Sequence, residues 1–406
     1  MFAKQLTFLL AVGSITSLSA EDWPQFRGPR GDGHSMETRA PSAWSETENV
    51  IWRMPINGLG WSSPVILGDR IWLTTALDDG KSLRAISIDK ANGKVLVDVE
   101  VFSMENPVTI HSKNSHASPT PILEPGRVYV HFGADGTACL DAGGKSLWKT
   151  TLKYAHGHGP AGSPVTHGDL LFITCDGTDM QYVVALNKAD GQTRWKTNRM
   201  GRMAYSTPAV FNCEGKDQLV TTGGDAFVAY DPLTGHEIWR VRHQGFSLVP
   251  KPVFANGLLF LCSGYGHAAI HAVRPDGKGD VSSTHVAWVS QRGAPLNPSP
   301  LYLDGRLYIV SDNGVASALD PKTGETLWQE RLGGDFSASP VYAAGRIYFL
   351  NENGVTTVIE PGEQPKKSSV NEVTGRTLAS LAVSEGNIFL RTDKALYRIG
   401  SKADPK

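Results

Sequence analysis

The sequence is poor in the residues that most often announce chemistry. It has four cysteines, Cys139, Cys175, Cys213 and Cys262, with no adjacent pair, no C-x-x-C and no C-x-x-C-H. That spacing excludes a thiolate zinc knuckle and a c-type haem attachment, and each Cys falls in or beside a strand-like run, as small buried thiols do. Charge is scarce and balanced: 19% of residues are charged, 39 Lys+Arg stand against 40 Asp+Glu, and the formal net charge is −1. No block of like charge exists to grip a phosphate backbone, so nucleic acid is not an expected partner. After the first residues no window holds the roughly 20 apolar residues of a membrane helix. H-E-x-x-H and G-x-S-x-G are absent too, which removes the recognisable zinc-protease and hydrolase-elbow signatures.

Glycine and proline, by contrast, are plentiful, at 43 and 24 residues in a chain of 406 that is 40% hydrophobic. A globular, turn-rich chain of many short strands is expected. The opening run MFAKQLTFLLAVGSITSLSA carries one early cation, Lys4, an apolar stretch and then small residues. It reads as a secretory signal over residues 1–20, which places the mature protein in the periplasm or outside the cell; no Cys lies nearby to take a lipid.

A search for internal repeats gives the architecture. Segments beginning SPVILGDRIWLTT, SPTPILEPGRVYVHFGADGTACLDAGGKSLWKTTL and SPVTHGDLLFITC recur to the end of the chain, marked by Pro64, Pro119, Pro164, Pro208, Pro252, Pro300 and Pro340. The period of roughly 45 residues, with alternating apolar positions broken by Gly, Asn and Asp turns, describes four-stranded blades of a propeller. Seven units are complete. An eighth, LASLAVSEGNIFLRTDKALYRIG, offers three strands and stops, while NVIWRMPI at residues 49–56 looks like a displaced outer strand. An all-β, eight-bladed propeller over residues 49–400, its last blade closed by the N-terminal strand, therefore follows, with an extension at 21–48 packed on it and a tail at 401–406. Closure removes free sheet edges.

Trp52, Trp148, Trp195, Trp239, Trp288 and Trp328 occupy the same place in their units, in the expected outer strand. They are assigned to architecture, as rings wedged between sheets. Val97 stands at that place in the first unit, and the seventh has no Trp.

Units such as AYDPLTGHEIW and ALDPKTGETLW resemble the pyrroloquinoline quinone (PQQ) repeat. Propellers of that family include quinoprotein alcohol dehydrogenases and the BamB lipoprotein of outer-membrane assembly. WPQFRGPRGDG and GWSSPVILGDRIWLTTA further resemble secreted propellers of planctomycetes and verrucomicrobia. The resemblance implies the fold over Trp23 to about Gly400 and leaves two roles open. The dehydrogenases hold PQQ between a Trp and a disulfide of adjacent cysteines, beside a Ca²⁺ bound by acidic and amide side chains; the adjacent cysteines are missing here, although sugar-oxidising quinoproteins also lack them. The assembly factor carries a lipidated Cys that this chain lacks.

Antiparallel strands place the segment entering each first strand, and the turn between second and third strands, on one face. Candidate ligand residues around that channel mouth are Trp61, Lys113, Asn114, His116, His158, Arg202, Tyr205, Arg292, Asn297 and Asp335, with His111, His156, Phe246, Lys251, Phe336, Asp135, Asp176, Asp225, Asp312, Asn313 and Asn353 close by. A metal on His156-x-His158 would need further ligands such as His116 or Asp176. No catalytic residue and no metal site are assigned. GHGPAG at 157–162 fits G-x-G-x-x-G by accident, because a strand rather than a helix follows it. GPRGDG at 28–33 reads as part of a clamp anchored by Trp23 and Phe26, with Arg27 or Arg30 able to point toward the mouth.

The expected function is that of an exported binding module with a protein or glycan partner, a monomer needing no cofactor. The alternative is a PQQ- and calcium-dependent oxidoreductase. A polysaccharide hydrolase or lyase using mouth His and Asp residues is a third reading.

Overall fold

The computed structural model describes residues 21–400; the signal-like run 1–20 and the tail 401–406 lie outside the described residues. Eight antiparallel sheets surround one axis. Blade 3 shows the plan: Val165–His167 innermost, then Leu170–Asp176, Gln181–Asn187 and outermost Thr193–Arg199. Its two middle strands are almost wholly buried, while the outer strand alternates, as expected where one face packs on a neighbouring blade. The eighth sheet takes Ala382–Ser384, Asn387–Arg391 and Ala395–Ile399 from the C-terminal end, and its outer strand is Val50–Pro55. The register Met54↔Leu396 and Arg53↔Tyr397 fastens the two ends of the propeller together.

The tryptophans form a belt. Each lies just after a β-bulge: Arg194 is the extra residue before Trp195, and the pairing shifts in the same way before Trp52, Trp148, Trp239, Trp288 and Trp328. A bulge re-aims the side chain that follows it. Four of the rings reach the third-to-fourth turn of the next blade, where the indole N–H donates to a backbone carbonyl: Trp52 to Lys90 (3.1 Å), Trp148 to Lys188 (2.9 Å), Trp195 to Pro232 (3.0 Å) and Trp288 to Pro321 (2.9 Å). The ring itself lies on the turn glycine. Gly191 has φ +73°, and a Cβ there would sit 2.5 Å from the Trp148 ring. Only glycine meets both demands.

Two rings depart from this pattern. Blade 5 has a longer third-to-fourth connection, whose short strand Gly279–Asp280 adds in parallel to the outer strand of blade 4. Trp239 is covered by it and donates instead to Gln218 within its own blade, at 2.8 Å. Blade 7 lacks the D-x-x-T-G turn, and the buried Trp328 Nε1 has no partner. Cys139, Cys175 and Cys262 are buried free thiols and Cys213 is half-buried and free.

The extension runs along the face opposite the mouth. Trp23 is fully buried and exchanges backbone hydrogen bonds with Ile66, Leu123 N–H donates to Pro24, and Tyr342 N–H donates to Gly33, so the segment crosses the channel from blades 1 and 2 to blade 7. Arg27 is buried in that crossing and donates to the carbonyls of Asp32 and Pro300, both at 2.7 Å. Arg30 pairs with its own loop, at Asp32 and Glu21. Neither arginine reaches the mouth, and the Arg-Gly-Asp tripeptide is folded onto itself. Trp44 stacks on Tyr348 while its backbone N–H donates to Asn371 Oδ1.

One register needs correcting. In SPTPIL the residue at the blade-entrance position is Pro121, not Pro119, because the first strand of blade 2 begins at Ile122. The equivalent of Ser63, Ser163 and Ser299 is therefore Thr120.

Candidate functional site: the channel mouth

The axis of the propeller holds a cavity of about 510 Å³. Its floor is Phe26, raised from the crossing segment, so the channel is a well open at one end. Aromatic and amide side chains from the segments that enter the blades form its walls, Trp61, His111, Asn114, His158, Tyr205, Phe246 and Asn297, joined by Leu296 and by Tyr265 from a second-to-third turn.

Between floor and walls runs a circle of hydroxyls. Each belongs to the second residue before the first strand, and each accepts the N–H of its counterpart in the preceding blade. Lys251 N–H donates to Ser299 Oγ (3.0 Å), Ser299 to Ser339 (3.0 Å), Ser339 to Ser380 (2.9 Å), Ser380 to Ser63 (3.1 Å), Ser63 to Thr120 (3.0 Å), Thr120 to Ser163 (2.9 Å) and Ser163 to Thr207 (2.9 Å). The chain of bonds breaks once, between Thr207 and Lys251, where blade 5 has no hydroxyl. The Lys251 side chain turns down toward Gly31 in the crossing segment; burial, then the nearby Arg27, lower its pKa to about 7.

A strap crosses the mouth. His111 N–H and Asn114 Nδ2 both donate to the His158 carbonyl, and Lys113 Nζ reaches Glu352 Oε1 at 2.9 Å on the far side. Glu352 is buried and also receives Ser337 Oγ (2.7 Å) and Arg376 Nη2 (3.4 Å), while Arg376 Nη1 donates to the Ser112 carbonyl. Burial works against its ionisation, but these donors outweigh it and hold the carboxyl below its ordinary range. Lys113 is thereby paired.

The sequence candidates divide. Trp61, Lys113, Asn114, His158, Tyr205 and Asn297 line the well, as do His111 and Phe246. Arg202, Arg292, His116 and Asp335 do not. Arg202 is paired with Asp225 and lies over the Phe246 ring, 4.5 Å from its centroid, without lining the well, and Arg292 donates to Gln329. Asp335 is exposed on the rim and offers only its carbonyl, to Glu352 N–H, while Phe336 is packed in the core. His116 is buried against Gly80. The suggested metal ligands stand apart as well. His158 faces the well, Asp176 is taken up by Arg199, and His156 Nε2 accepts the Ala134 N–H at 2.7 Å. Among the described residues no three His, Cys, Asp or Glu side chains are placed to hold a metal. What sequence reasoning missed is the hydroxyl circle, Phe26, Glu352 and Arg376; the recurrent Ser or Thr before the marker Pro was the available signal.

No aspartate, glutamate or arginine lines the well, and its one lysine is already paired. A calcium-bound quinone bearing carboxylates needs acidic ligands for the metal and cations for the quinone. The donor set present does not fit that group.

Comparison with known proteins agrees with the fold. The family model described as outer membrane protein assembly factor BamB matches residues 37–174, 134–210, 179–298 and 266–393. A polyvinylalcohol dehydrogenase from Pseudomonas sp. is 26% identical over 312 residues; the match covers 67% of this chain but only 45% of that protein. BamB from Moraxella catarrhalis superposes with TM-score 0.61 at 14% identity, covering 86% of this chain and 99% of that one. Quinohemoprotein alcohol dehydrogenase from Comamonas testosteroni gives 0.66 at 12% identity, covering 95% and 82%. With its eight blades and matches along nearly the whole described chain, the protein belongs to the BamB-type family of PQQ-repeat β-propellers.

Proposed function

We propose that the protein is an exported, non-catalytic binding propeller that takes its partner at the channel mouth. The observation that carries this reading is the composition of the well: a concave, aromatic and hydroxyl-lined cavity with no carboxylate in its wall. His111 and His158 have no acidic partner there, so general acid–base chemistry on a polysaccharide lacks its second group. The BamB-type family supports an interaction role. The dehydrogenase activity in the Pseudomonas relative's name belongs to a chain of which this protein spans under half. The apolar side chains Leu59, Val108, Met180, Met200 and Tyr265 are exposed on loops of the mouth face, which suits it as the contacting surface. No helix among the described residues is long and apolar enough to cross a membrane.

The test is a titration of the purified chain with PQQ and calcium chloride, followed by tryptophan fluorescence and thermal shift. No saturable change is expected up to high micromolar cofactor. Saturable, calcium-dependent binding with dye-linked turnover would replace this reading with the oxidoreductase one.

A further inference from the structure

The seven hydroxyls of the inner circle share a property that architecture does not need. Ser63, Thr120, Ser163, Thr207, Ser299, Ser339 and Ser380 are each at least 95% buried, and all seven line the well. Each accepts one backbone N–H from the neighbouring blade, as set out above. A hydroxyl has one O–H donor and two acceptor lone pairs, so each keeps one donor and one acceptor site. Among the hydrogen bonds of the described residues none of the seven O–H groups donates to a protein oxygen. The N–H that each receives fixes one lone pair, and the remaining valence is left for the space inside the circle.

We infer that this circle, with the aromatic walls above it, recognises an uncharged sugar, seated as the terminal unit of a glycan. The inference rests on the binding-module reading of the same mouth. Three observations select the chemistry. The circle offers donors and acceptors together from seven of the eight blades, which matches sugar hydroxyls that do both; an anion would use the donors alone. The walls supply flat faces, Trp61, Tyr205 and Phe246, on which the C–H face of a sugar ring can lie, and Phe26 closes the floor. Finally, the well has no free charge of its own, because Lys113 is paired with Glu352, while Arg27 and Lys251 belong to the layer beneath Phe26 and do not line the cavity. A cavity of about 510 Å³ lies in the ordinary range for small-ligand sites.

The experiment titrates the full chain with glucose, galactose, mannose, N-acetylglucosamine, maltose and cellobiose by calorimetry and saturation-transfer NMR, with inorganic phosphate and acetate as competing anions. At least one sugar is expected to bind saturably and to be indifferent to phosphate. Ser163→Ala with Ser339→Ala removes hydroxyls on opposite sides of the circle and should weaken binding about tenfold or more. Phe246→Ala, at the half-buried rim, leaves the hydroxyl circle intact and should weaken the same sugar comparably, so the inference stays testable if the double variant folds poorly. Failure of every sugar, displacement of the sugar by phosphate, or unchanged affinity in the rim variant would each overturn the inference. Failure of the sugars while PQQ with calcium also fails to bind would leave the binding-module reading standing; calcium-dependent PQQ binding would remove that reading first.

Discussion

The outer belt of tryptophans and the inner circle of hydroxyls repeat with the same period, yet they use their hydrogen-bonding capacity in opposite ways. In the belt, Trp52, Trp148, Trp195 and Trp288 each have a single N–H donor, and each gives it to the next blade. Nothing remains for a ligand. In the circle, each hydroxyl also bonds the adjoining blade, but as an acceptor, and its donor stays open toward a cavity. Repetition alone therefore does not tell scaffold from site. What separates them is whether the shared contact exhausts the side chain.

The largest effect should come from cutting the belt. Trp148→Ala removes a buried indole and should cost about 3–5 kcal/mol of unfolding free energy, with sugar affinity unchanged in the folded fraction. Gly191→Ala attacks the same contact from the other side and should cost about 2–4 kcal/mol, from left-handed backbone strain plus overpacking. The milder Trp148→Phe and Trp328→Phe sharpen the point: only the first loses an indole hydrogen bond, so denaturant melts should show it to be the more damaging by about 1 kcal/mol. Equal losses would mean that the belt works by packing alone.

Acid comes next, and it should strike the blades rather than the circle, which has no titrating group. Burial lowers the pKa of His156, His243 and His271 to about 4, and that of His131 to about 3, from an ordinary 6.5. Between those values the unfolded chain binds more protons than the folded one, so the histidines' share of stability falls as pH drops from 6.5 toward 4 and is flat above 6.5; Lys251, lowered by burial from 10.5 to about 7, adds a smaller loss as pH drops from 10.5 toward 7. His156 gives a structural reason, since its Nε2 must stay unprotonated to accept the Ala134 N–H. Each group contributes on the order of 2 to 3 kcal/mol across the window. Asp135 acts in the opposite sense: burial raises its pKa from 3.8 to about 6, so its share of stability is lost as pH rises through that range. Burial raises Asp176 and Asp312 as well and lowers His34, His116 and His158 too, so three carboxyls stand against seven histidines and the net trend is acid-labile. Melting temperatures measured from pH 8 to pH 4 should decline gently toward pH 7 and steeply below pH 6.5, and a flat profile below pH 6.5 would show the histidines to be hydrated.

The smallest effect is expected at the strap. Glu352→Gln keeps the shape but loosens Lys113 and Arg376, whose side chains are about 40% exposed, so the loss should be only about 1–2 kcal/mol. Faster exchange of the His111 backbone amide and the Asn114 side-chain amide would register the release, and unchanged exchange would show that their bonds to the His158 carbonyl suffice without the ion pair.

The fold was legible because a period of roughly 45 residues, turn glycines and a displaced outer strand are all properties of order along the chain. The site was legible only in part. Trp61, Asn114, Tyr205 and Asn297 could be assigned to the mouth from strand direction alone. Arg202 could not be excluded that way, since its orientation depends on Asp225, which lies 23 residues further on. The serines precede the marker prolines in plain sight, but their role appears only when blades meet and the Oγ atoms come to face a shared axis. The misplaced Pro119 shows the same limit, because SPTP offers two equivalent steps and only the start of the strand at Ile122 chooses between them.

The most direct test of the central claim, that the mouth is an uncharged recognition well and not a quinone site, is a paired calorimetric titration of one preparation with PQQ plus calcium and with the sugar panel. The expected result is saturable heat from a sugar, weakened about tenfold or more by Ser163→Ala with Ser339→Ala, and none from the quinone. Saturable calcium-dependent heat from PQQ, with none from any sugar, would contradict it.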